Sequence, residues 1–101
     1  MTLRNDAEMR KELYSAILKL ETMEEVEKFF DDLCTFKELE SMEQRLRAAK
    51  MLLAGKTYHD IVAETEISSA TLARVSKCVR YGNGGYKTAL STLSTLSKEE
   101  E

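Results

Sequence analysis

No proline interrupts this chain, and four times a Ser or Thr stands where a helix start calls for a side-chain oxygen: Thr22, Thr35, Thr57 and Ser68. Three residues after the first three come Glu25, Glu38 and Asp60. A hydroxyl at such a position accepts from an orphan backbone N–H of the first turn, and a carboxylate three residues on can reach back to the cap amide. With no ring to break them, helices run as far as these signals allow. The four glycines, Gly55, Gly82, Gly84 and Gly85, punctuate the capped runs. The pattern predicts an all-α protein with six helices.

Apolar spacing fills in the helices. Met9, Leu13, Ala16, Ile17 and Leu20 stripe a first helix from about Asp6 to Leu20. Met23, Val26, Phe29, Phe30 and Leu33 stripe a second, ending near Leu33 or Cys34. Leu39, Met42, Leu46, Ala49, Leu52 and Leu53 carry a third and longest one up to Gly55, which suits a left-handed position just past a helix end. A short fourth helix is predicted from Tyr58 to about Thr65, with Ile61 and Val62 facing inward. A fifth should run from Ser69 to Tyr81, burying Leu72, Val75 and Val79. "GNGG" then breaks the chain, a sixth helix follows from Tyr86 through Leu90, Leu93 and Leu96, and the tail 98–101 is expected to fray. At 101 residues the whole forms about one small domain.

Several function classes fall away. The N-terminus has no long apolar segment, and no window approaches the roughly 20 apolar residues of a membrane span. A soluble, cytoplasmic protein without a membrane partner is expected. Cys34 and Cys78 are too far apart for a redox pair or a zinc knuckle, and both read as small buried or half-buried residues. One histidine, no metal-spaced cluster and no nucleophile beside a base leave nothing for catalysis, metal or cofactor.

The net charge of −3 hides an uneven distribution. From residue 68 to 97 the chain carries Arg74, Lys77, Arg80 and Lys87 and no acid. On charge alone this reads equally as a solvated cationic face or as a surface for phosphate. The two short capped helices at about 57–81, joined by a tight turn, fit a helix-turn-helix, with a plain helical hairpin as the alternative. A recognition helix wants short side chains at its N-terminal end, so that its backbone approaches base edges, and cations further along for phosphates. "SSATLAR" supplies that order of sizes. Glu66 departs from the pattern, because it stands where the turn is usually glycine. The acids between Glu21 and Glu40 offer a competing reading, a protein-interaction module that engages a basic partner.

"DLCT" followed by "EQRLRAAKMLLAGKTYHDIVAETEISSATLARVSKCVRYGNGGYKTAL" resembles the Trp repressor superfamily, and its "ARVSKCVRYGNGGYKTAL" ending resembles the TrpR-related YerC/YecD branch. The resemblance covers roughly residues 32–90 and implies an intertwined homodimer. Its two helix-turn-helix units would enter successive major grooves of double-stranded DNA and regulate transcription, as a repressor. An apolar surplus at Phe29, Phe30, Leu39, Met42, Leu46, Leu93 and Leu96 is compatible with a core shared between two chains, or with a monomeric bundle that holds all of them.

For DNA contact the local pattern and the resemblance overlap on Ser68, Ser69, Ala70, Thr71, Ala73, Arg74, Lys77, Arg80 and Lys87. The resemblance adds His59, at a family position on the preceding helix that reaches bases, and matches Arg80 to a phosphate-binding lysine. It also implies effector positions. In the Trp repressor two arginines sandwich the indole and a threonine approaches from the partner subunit; Arg45, Arg74 and Thr35 match these. Val75 replaces the glycine that follows the second arginine, and Cys78 replaces a serine that helps to bind the amino group. A branched side chain where a ring needs room, and a lost polar partner, disfavour tryptophan as the ligand.

Overall fold

The computed structural model describes residues 5–91, which form helices and turns with no strand among them. The helices are α1 (Asp6–Leu18), α2 (Met23–Leu33), α3 (Phe36–Leu53), α4 (Tyr58–Thr65) and α5 (Ser69–Tyr81). A sixth, α6, occupies residues 85–91, where the described residues end. Leu93, Leu96 and the tail 98–101 lie outside them. The chain divides into two compact units between Leu39 and Glu40.

The first unit holds α1, α2 and the opening turn of α3. Asn5 caps α1, its Oδ1 accepting from the Glu8 N–H at 3.0 Å. Thr22 and Glu25 form a reciprocal capping box on α2, with bonds of 3.1 and 3.2 Å. Thr35 and Glu38 do the same for α3, at 3.1 and 2.8 Å. α1 stops at Leu18, two residues earlier than its apolar stripe suggests, because the N–H groups of Lys19 and Leu20 bond three residues back instead of four. No residue of α1 or α2 is buried. Phe29 and Phe30 meet edge to face at 5.5 Å, both half-buried.

The second unit carries the core. Ala48, Ala49 and Met51 of α3, Ile61 of α4, Ile67 of the turn, Leu72 and Val75 of α5 and Leu90 of α6 are buried together, with Leu52, Val79 and Tyr86 packed against them. The two alanines let neighbouring helices come close to α3, and Ile61, Leu72 and Val75 fill the space that remains. Burying each of these larger side chains contributes about 1.5–3 kcal/mol.

α3 ends as its glycine implies. Gly55 takes φ +86°, and Gly55 and Lys56 donate to the carbonyls of Leu52 and Met51 at 3.0 Å each, the paired bonds of a Schellman end. Gly82 ends α5 for another reason. A Cβ there would lie 2.3 Å from the Cys78 carbonyl oxygen, so only glycine fits.

Two burial expectations need correction. Val62 is 37% exposed, because α4 presents Ile61 and not its neighbour to the core. Cys78 is exposed and Cys34 half-buried, since Cys78 lies at the margin of the buried stripe of α5.

Candidate nucleic-acid interface

α4, the turn and α5 form one hydrogen-bonded motif. The Thr57 hydroxyl accepts from the Asp60 N–H at 3.1 Å and starts α4. At the other end the Thr65 hydroxyl donates back to the Ile61 carbonyl at 2.6 Å and accepts from the Ile67 N–H at 3.3 Å. Glu66 closes the helix in the left-handed region, φ 61° and ψ 15°, its N–H donating to the Val62 carbonyl at 2.9 Å. That conformation costs a non-glycine residue roughly 1 kcal/mol or more. Ile67, 2% exposed, then plugs into the core and fixes where the chain turns.

Ser68 caps α5, its Oγ accepting from the Thr71 N–H at 3.1 Å and donating to Thr71 Oγ1 at 2.9 Å. The two hydroxyls lock the first turn, and Thr71 is half-buried. Beyond it the 3.6-residue period sorts the side chains into two faces. Leu72, Val75 and Ser76 are buried and Val79 is half-buried on one side. Ser69, Ala70, Ala73, Arg74, Lys77 and Arg80 are exposed on the other. Small groups therefore occupy the outer N-terminal end, and cations follow along the same face.

The electrostatics of this face are one-sided. Arg74, Lys77, Arg80 and Lys87 form no ion pair among the described residues. α1 to α4 each carry an acid in the first turn, and α5 carries none. The partial positive charge of its N-terminus is therefore uncompensated by its own side chains, an arrangement suited to a phosphate or other anion.

The remaining expected residues are placed differently. His59 is exposed on α4, in a shallow depression with Met51, Lys56, Asp60, Ala63 and Glu64. Lys87 is exposed on α6. Of the three effector positions, Thr35 falls in the first unit and Arg45 and Arg74 in the second. The Thr35 hydroxyl is taken up by the α3 cap, and Arg45 is half-buried with its Nε donating to the Ser41 carbonyl at 3.4 Å.

Two residues of the motif escape a reading by sequence pattern. Ser76 is 4% exposed, a polar side chain inside the buried stripe. Tyr81 is 81% exposed on the cationic face, and its spacing of four from Lys77 and seven from Arg74 was the available signal.

The comparisons with known proteins agree with the fold. A family model described as Trp repressor protein matches residues 8–94. The uncharacterized protein YerC of Bacillus subtilis (strain 168) is 47% identical over 88 residues, which span 87% of this chain and 85% of that protein. A crystal structure of a candidate Trp repressor from Staphylococcus aureus superposes with a TM-score of 0.81 at 44% identity, covering 90% of this chain and 89% of that one. A TrpR-like protein from Eubacterium eligens ATCC 27750 gives 0.79 at 42% identity, over 83% and 87% of the two chains. An all-helical chain whose match to the family runs through the capped helix pair and its cationic face belongs to the Trp repressor family, whose members are regulators and not enzymes.

Proposed function

We propose that this protein is a sequence-specific, DNA-binding transcriptional regulator, acting as a repressor and as a homodimer. The observation that carries the reading is the outer face of α5, with Ser69, Ala70 and Ala73 at its tip and, beyond them, the cations Arg74, Lys77 and Arg80, which make no ion pair among the described residues. Short side chains allow the helix to sit deep in a major groove, and the cations then lie at the height of the flanking phosphates. Ser68, Thr71, His59 and Lys87 complete the proposed contact surface.

A second copy of the chain supplies the symmetry. Leu18, Met23 and Phe36 are 83%, 73% and 80% exposed, a large apolar area for a chain with no buried residue in α1 or α2. Such surface favours association, and a two-fold pair of α5 helices would meet half-sites about one helical turn, or 34 Å, apart. No helix among the described residues is long and apolar enough to cross a membrane; the proposed site of action, on DNA in the cytoplasm, follows from the DNA-binding reading alone.

Effector sensing is a separate matter. We read Thr35 as a cap and Arg74 as a phosphate contact, and propose that tryptophan is not the corepressor. Val75 occupies the core, and Cys78 offers a thiol where the family has a hydroxyl.

Selection from a pool of random duplexes tests the proposal. The purified protein should enrich an imperfect palindrome with half-site centres about 34 Å apart. Recovery of unselected sequence, or of no DNA, would contradict it.

A further inference from the structure

Glu66 is hard to account for by stability. It is the only non-glycine residue with positive φ among the described residues, a conformation that glycine adopts without steric cost. It closes α4 at the helix end where the dipole disfavours an anion. Its side chain is exposed, and its carboxylate makes no hydrogen bond or ion pair among the described residues. It is also the last acid before the long cationic run, two positions ahead of the Ser68 cap and next to the tip formed by Ser69 and Ala70. Local strain and local charge both oppose a glutamate here.

We propose that Glu66 is a specificity determinant whose carboxylate penalises binding to DNA of arbitrary sequence. The inference rests on the reading of α5 as a DNA-binding helix. Binding to random duplex is held almost wholly by phosphates, so an anion beside the groove-entering tip weakens it in nearly every register. At the preferred site, base contacts fix one register, in which the carboxylate avoids the phosphates and can accept from an exocyclic amino group of a base. The charge thus lowers total affinity and widens the gap between the right site and all others.

Two full-length variants separate charge from strain. Glu66→Gln keeps the left-handed backbone and removes the charge; Glu66→Gly removes both. Binding is measured by fluorescence anisotropy on a random-sequence duplex and on the best duplex recovered by selection. Both variants should bind the random duplex about three- to tenfold more tightly, the scale of one unit charge per subunit acting through water. The selected duplex should change by less than about twofold, so that discrimination falls. Both variants should melt at a higher temperature, Glu66→Gly more so than Glu66→Gln because it also relieves the left-handed strain. Unchanged binding of random duplex by Glu66→Gln, or an equal gain on both duplexes, would overturn the assignment while leaving the DNA reading intact. A wild-type protein that binds neither duplex would remove both.

Discussion

Gln44 of α3 donates from Nε2 to the backbone carbonyl of Thr65 at 3.3 Å, and so ties the longest helix to the last residue of α4. The bond spans 21 residues of sequence, is partly buried and anchors the backbone just before the turn. Positioning of the proposed interface therefore depends on a residue that lies outside the helix-turn-helix.

Replacing Gln44 by Met keeps the volume and deletes the donor. A partly buried carbonyl loses its partner, so chemical denaturation should show a loss of about 1 kcal/mol, and amide exchange at Glu66 and Ile67 should quicken. Unaltered exchange there would show that Ile67 alone fixes the turn.

Leu72 and Ala70 lie two residues apart on opposite faces of α5, one fully buried and the other exposed. Leu72→Ala should cost about 2–5 kcal/mol through the cavity it leaves, a large share of the stability of a small domain. Ala70→Ser should stay within about 0.5 kcal/mol while altering which duplexes are bound. Similar stability losses from the two would mean that the helix is rotated from the orientation described.

The α3 cap gives a signed pH dependence. The Glu38 carboxyl accepts from the Thr35 N–H and lies beside its hydroxyl, and this favours the charged form and lowers its pKa below the ordinary value. A depressed folded-state pKa means stability that is present above the unfolded value and lost as pH falls through the folded one. The wild type should therefore lose helical signal at the start of α3 below about pH 4, and Glu38→Gln should flatten that dependence. An identical acid limb in the variant would contradict the assignment.

Tryptophan gives an independent check on the effector reading. Titration calorimetry with L-tryptophan should show no binding tighter than about 1 mM, and the melting temperature should not move when it is added. Saturable heat at micromolar ligand would restore Arg45, Arg74 and Thr35 as a binding set.

The helices were legible in the sequence because their ends are set locally. Thr57 and Ser68 each bond an amide three residues on, and α4 and α5 begin and end where those caps, Glu66 and Gly82 dictate. Gly55 likewise sets the end of α3 whatever packs around it. Burial was less legible, because it depends on where neighbouring helices approach. Val62 and Ile61 are both β-branched and adjacent, and only the placement of α3 and α5 decides that Ile61 goes inside. Cys78 and Ser76 show the same limit: a thiol is left at the surface while a hydroxyl two residues earlier is taken in. The cationic run from Arg74 to Lys87 could be counted in the sequence, but its lack of ion pairs with described residues required the packed chain.

Salt dependence of DNA affinity tests the central claim most directly. If each subunit of a dimer sets about three of Arg74, Lys77, Arg80 and Lys87 against phosphates, about six counterions are released, and log affinity should fall against log salt with a slope near −5. A slope near zero, or no measurable binding at low salt, would show that the outer face of α5 does not meet a nucleic-acid backbone.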